Sequence, residues 1–153
     1  MTKQTVQLKR YATAQWAGSG LEGKGQVSTT SGALQELPYS FKTRFQNPDG
    51  QLGTNPEELI AAAHAGCYNM ALSFQLTGAG FPPTSLHTRA ELIMEKEDGH
   101  FAIKEIRLNL EGIVPGLDEE KFGQIAVNAK NTCPVSQALQ AIKISLIVKS
   151  FQS

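Results

Sequence analysis

Two thiols, Cys67 and Cys133, are the side chains of this sequence best suited to chemistry. Cys133 precedes Pro134, the pairing expected where a helix begins, and there the free N–H groups and the helix dipole favour a thiolate. On these grounds alone Cys133 is the better nucleophile of the two. Cys67 lies among small residues, and the plain reading of such a cysteine is a buried, inert core residue. His64, three positions before it, offers a base on the same helical face, although a histidine on an apolar helix is more often a satisfied core group. No CxxC, no HExxH and no third ligand at a diagnostic spacing accompanies this pair, so no metal site is expected. Glycines 18, 20, 23 and 25 form no phosphate loop and read as turn residues, so no nucleotide cofactor is expected either. Arg44 lies on the polar side of an alternating stretch, Arg10 is its rival because it interrupts an apolar strand face, and Glu57 and Glu58 read most simply as acids placed on a helix dipole. These residues permit thiol chemistry without compelling it.

The elements that must position them follow from periodicity. Val6, Leu8, Ala12, Ala14 and Trp16 alternate with mostly polar neighbours, which predicts a strand over Gln4–Trp16. A second strand is expected over Gln26–Ser31, and the alternation Tyr39, Phe41, Thr43, Phe45 predicts a third, with Arg44 on its polar side. After a Gly, Asn, Pro and Asp-rich loop, Thr54 or Asn55 followed by Pro56 and two glutamates predicts a helix from about Pro56 to Leu76. Apolar residues cover nearly its whole circumference, so it requires cover on every side. Leu86 to Met94 and Ile106 to Leu110 form a hairpin around Asp98-Gly99. Phe122, Ile125, Ala126 and Ala129 mark a second helix, Cys133-Pro134 opens a short third, and Ile142 to Val148 closes the chain as a strand. The expected order is βββ-α-ββ-α-α-β, an α+β fold in a single domain over 1–153. A second subunit can supply that cover, so an intimate homodimer is favoured, with a helix sandwiched within one chain as the alternative.

Composition removes several classes of function. The chain of 153 residues carries 14 basic and 14 acidic residues, and a zero net charge provides no field for nucleic acid or an anionic membrane. Met1 to Tyr11 shows no apolar signal-peptide core, and no run approaches a membrane span. Two cysteines 66 positions apart make no secreted disulfide framework, so the cytoplasm is the expected location.

The segment Thr54-Asn55-Pro56-Glu57-Glu58-Leu59-Ile60-Ala61-Ala62-Ala63-His64-Ala65-Gly66-Cys67 resembles the signature of the OsmC/Ohr family, the osmotically inducible and organic hydroperoxide resistance proteins. Thr43-Arg44-Phe45, Gly80-Phe81-Pro82-Pro83-Thr84-Ser85 and Cys133-Pro134-Val135-Ser136-Gln137-Ala138-Leu139 extend the resemblance along essentially the whole chain. The resemblance implies an intertwined homodimer, with antiparallel sheets around buried central helices and active sites at the subunit interface. It implies a thiol peroxidase that prefers organic hydroperoxides to hydrogen peroxide, without bound cofactor, and the apolar residues around Cys67 suit an alkyl or fatty-acyl peroxide. Cys67 then attacks, Cys133 resolves, Arg44 and Glu57 activate, and an external dithiol, lipoylated protein, reduces the disulfide. In assigning the attack to Cys67 the resemblance overrules the helix-start reasoning for Cys133. The place of Arg44, ahead of the signature, indicates the OsmC branch, while the loop Gln46–Gly53 looks longer than is usual there. A redox-sensing or ligand-binding module that uses the same two cysteines without peroxide turnover is the alternative, and a fold in which both thiols are inert is a third reading.

Overall fold

The computed structural model describes residues 3–153, so Met1 and Thr2 of the segment read for a signal peptide lie outside the described residues. The chain divides into two compact units, Met1–Pro56 and Glu57–Ser153.

In the first unit, β1 (Ala12–Ala17), β2 (Lys24–Thr29) and β3 (Leu37–Tyr39) form an antiparallel meander in that order. Trp16, Gly25 and Tyr39 lie in register across it. The Trp16 and Tyr39 rings meet with centroids 5.5 Å apart over Gly25, where a Cβ would come within 2.5 Å of Tyr39 and 2.7 Å of Trp16. Only glycine fits beneath that ring pair.

Two expectations for this unit are corrected. Gln4–Tyr11 is not part of the strand. Thr30 donates to the Tyr11 carbonyl from its N–H (3.2 Å) and its hydroxyl (2.9 Å), and the chain then turns at Gly32, so no strand remains to pair with earlier residues. The stretch read as a third strand holds only Leu37–Tyr39; Phe41–Phe45 is a short helix, α1. Ser40 and Thr43 form a capping box there, each side chain accepting the other's backbone N–H. The rings of Phe41 and Phe45 pack 5.0 Å apart along one face. Arg44 is therefore a helical residue, its guanidinium 4.8 Å from the Phe45 ring centroid.

The second unit is built around α2 (Pro56–Gly78), followed by β4 (Ser85–Glu97), β5 (His100–Ile113), α3 (Glu119–Thr132), α4 (Pro134–Ala138) and β6 (Lys143–Gln152). Asp98 and Gly99 both take positive φ, 49° and 83°, the turn that matches strand twist in a tight hairpin. β5 is the central strand. It pairs antiparallel with β4 and parallel with β6, which the helical connection through α3 and α4 makes possible. Ile106, Leu108 and Leu110 of β5 are fully buried with Tyr68, Leu72 and Leu76 of α2 and with Phe122, Ala126 and Ala129 of α3. Tyr68 donates to the Ala126 carbonyl at 3.0 Å, and Thr88 of β4 donates to Asn69 at 2.6 Å, so α2 is fastened to both layers. The helix thus buries one stripe, His64, Tyr68, Leu72 and Leu76, while Met70 and Phe74 stand 65% and 73% exposed in the single chain.

Candidate active site

Cys67 occupies the middle of α2 and is half-buried; Cys133 is fully buried. Their placement follows from local sequence. α3 ends at Thr132, and Pro134 starts α4, so Cys133 must adopt the extended backbone that a residue before proline prefers (φ −56°, ψ 127°). It closes α3 through its N–H to the Ala129 carbonyl (2.9 Å) and opens α4 by accepting from the Gln137 N–H (3.0 Å). A residue held at both ends has little freedom, and its side chain is directed onto α2. The Cys133 thiol donates to the Cys67 sulfur at 3.0 Å.

Both cysteines are free thiols. A disulfide needs about 2.05 Å between sulfurs, so closure requires an approach of only about 1 Å. Burial pushes the Cys67 thiol above its ordinary pKa, and a second ionisable sulfur beside it, that of Cys133, disfavours charge on Cys67 further; the Val135 backbone N–H of α4 works in the opposite direction. Sequence reasoning placed the help of the α4 start on Cys133. The effect that can be read falls on Cys67, where it is smaller than that of burial. Burial and the neighbouring Cys133 also push the Tyr68 phenol up, which keeps it a neutral donor to Ala126.

One turn before Cys67, His64 is fully buried, with Nε2 2.7 Å from the Ser136 hydroxyl of α4 and Nδ1 without a hydrogen-bond partner. Burial lowers its pKa, so the imidazole is neutral near pH 7. Sequence reasoning singled out His64 but missed Ser136 and the Val135 N–H. Matching spacings of three, His64 to Cys67 and Cys133 to Ser136, were the available signal.

Of the four residues expected to carry chemistry, the structure brings Cys67 and Cys133 together. Glu57 is half-buried in the first turn of α2, and ten residues of unbroken helix place it about 15 Å along the axis from Cys67. Arg44 belongs to the N-terminal unit, on α1.

A family model described as OsmC-like protein matches residues 48–147, a span that contains Glu57, His64, Cys67, Cys133 and Ser136 and begins just after Arg44. The chain belongs to the OsmC family. It is 53% identical over 134 residues to Peroxiredoxin OsmC of Escherichia coli (strain K12), covering 88% of this chain and 92% of that protein. Organic hydroperoxide resistance protein OhrB of Bacillus subtilis (strain 168) is 33% identical over 115 residues, 74% of this chain and 80% of its own. The crystal structure of that OhrB superposes with a TM-score of 0.68 at 25% identity, covering 91% and 98% of the two chains. An OsmC-like protein from Mycoplasma pneumoniae, at 16% identity, shares the fold with a TM-score of 0.74 over 95% of this chain and 99% of its own. The OsmC-family fold is therefore the α+β arrangement described above, and among the described residues no helix is long and apolar enough to cross a membrane.

Proposed function

We propose that this OsmC-family chain is a cysteine-based peroxidase that reduces organic hydroperoxides to alcohols. The observation that carries the reading is the thiol pair itself: a half-buried Cys67 with a buried Cys133 at 3.0 Å. We assign substrate to the half-buried thiol and resolution to the buried one, which orders the steps. The Cys67 thiolate attacks one peroxide oxygen and the O–O bond breaks; the alkoxide leaves and takes a proton to become the alcohol, while the sulfur keeps the hydroxyl as a sulfenic acid. Cys133 then attacks that sulfur and releases water as the disulfide forms. An external dithiol returns two electrons and two protons, and lipoylated protein is the reductant we favour.

Because burial holds the Cys67 thiol up, a nearby cation is needed for thiolate at neutral pH. Arg44 takes that role, staying cationic and stabilising charge as it develops on the peroxide oxygens, and Glu57 positions it. The protein works as a homodimer in the cytoplasm, each chain contributing one OsmC-like domain over 1–153, with a second copy covering Met70 and Phe74 of α2. Apolar neighbours of Cys67 favour alkyl or fatty-acyl peroxides over hydrogen peroxide.

Steady-state turnover of cumene hydroperoxide with dihydrolipoamide tests this. Multiple turnovers per chain are expected. Oxidation by a single equivalent followed by no turnover, with the disulfide persisting in excess dithiol, would mark a redox switch instead of an enzyme.

A further inference from the structure

Two contacts join α2 to α4, and they mirror each other. Cys67 meets Cys133 at 3.0 Å, and His64, one turn earlier on α2, meets Ser136, three residues later in the chain, at 2.7 Å. As numbers rise along α2 they fall along the partner segment, so the two elements face each other antiparallel over one turn. We propose that the His64–Ser136 hydrogen bond is a latch that holds α4 on α2 and thereby sets the approach of Cys133 to Cys67.

α4 has only five residues, and a helix that short does not persist by its own hydrogen bonds. It must be held by its neighbours. Val135 and Leu139 supply apolar contact with the core, but such contact is non-directional and tolerates sliding. Reaching bond distance between the sulfurs, by contrast, requires motion of about 1 Å along one line. The His64–Ser136 pair supplies the direction: it is polar, fully buried at His64 and nearly so at Ser136 (4% exposed). Shielding from water strengthens it and makes its loss costly, because each group would be left buried without a partner. A neutral imidazole suits this use, since burial already disfavours its charged form. His64 is thus a positioning residue, acting through Ser136 and the α4 backbone and not as a base on the thiol.

The inference rests on the thiol-pair reading but needs no peroxide to test it. The reduced protein is equilibrated in glutathione buffers, in which two protein thiols pass two electrons and two protons to one glutathione disulfide. The fraction of Cys67–Cys133 disulfide is then read by alkylation and mass spectrometry. Ser136→Ala and His64→Leu are each expected to lower the equilibrium constant for disulfide formation about fivefold, the worth of one buried hydrogen bond, while far-ultraviolet circular dichroism of the reduced form is unchanged. His64→Gln, whose amide reaches where Nε2 lies, is expected to recover the constant to within about twofold of the parent. A Ser136→Ala protein that folds and keeps the parent constant overturns the latch. If that variant fails to fold, His64→Gln against His64→Leu decides: equal constants overturn the proposal, and a clear advantage for glutamine supports it. None of these outcomes depends on whether peroxide is turned over, so the latch and the peroxidase reading stand or fall separately.

Discussion

If Glu57 and Cys67 serve one site, they must come from different chains. α2 runs without interruption from Pro56 to Gly78. Ten residues at about 1.5 Å each separate the two backbones by about 15 Å, and at 3.6 residues per turn they also point about 80° apart around the axis. A glutamate side chain extends roughly 4–5 Å from its Cα by bond lengths alone, so no rotamer closes that gap. Bending the helix sharply would need a proline or a glycine pair, and between Glu57 and Cys67 the sequence offers only Gly66, next to the cysteine. The perturbation is to unfold and refold together two variants, Cys67→Ala and Glu57→Ala, each nearly inactive alone. Random pairing in a two-fold dimer makes about half the molecules mixed, and each mixed dimer regains one intact site of two, so about a quarter of parental activity should return. Peroxide turnover by the mixture, with native mass spectrometry to count mixed dimers, reads the result. Mixed dimers that form in the expected share and stay as inactive as either parent would refute the shared site.

Cys67→Ser should abolish peroxide turnover, whereas Cys133→Ser should lose one thiol equivalent to a first dose and then stall; oxidation found by mass spectrometry on Cys133 and not on Cys67 would reverse the order of attack. Arg44→Ala should slow the first oxidation by about 2–4 kcal/mol of transition-state stabilisation, far more than Arg10→Ala, and stopped-flow rates equal to the parent would remove Arg44 from the site. The same variant carries a pH signature: Cys67 is already pushed up by burial, a raised thiol loses its thiolate as pH falls below its pKa, and so iodoacetamide alkylation of Arg44→Ala should climb at higher pH than in the parent. Phe74→Ala should weaken the dimer about 10²–10⁴-fold, since each ring contributes about 1.5–3 kcal/mol and a two-fold interface counts it twice; an unchanged dimer constant in analytical ultracentrifugation would place Phe74 outside the interface.

The second unit was readable because its periods are long and unambiguous. Alternation over Leu86 to Leu110 with a central Asp98-Gly99 can hardly be anything but a hairpin, and Phe122, Ala126 and Ala129 lie buried as their spacing requires. What it withheld was direction, because a strand's side-chain period is the same whether it runs parallel or antiparallel, and β6 joins β5 parallel. In the first unit the period itself was ambiguous. Phe41 and Phe45 are four apart, a spacing that satisfies both an alternating strand and one face of a helix; the decision lay with Ser40 and Thr43, whose reciprocal capping bonds are a local signal stronger than the alternation.

The thiol pair shows the same division between what a pattern states and what only packing decides. Cys133-Pro134 did announce a helix start with free N–H groups, but a cap does not say which sulfur those groups will face. That depends on where α2 lies. Because α2 buries the stripe that runs through His64 and Tyr68, it carries Cys67 to the rim of that stripe, facing the start of α4, where Cys133 is the buried donor to it. Tertiary packing sets one N–H of that start on the Cys67 side, where burial outweighs it, and leaves Cys67 the more exposed of the two sulfurs.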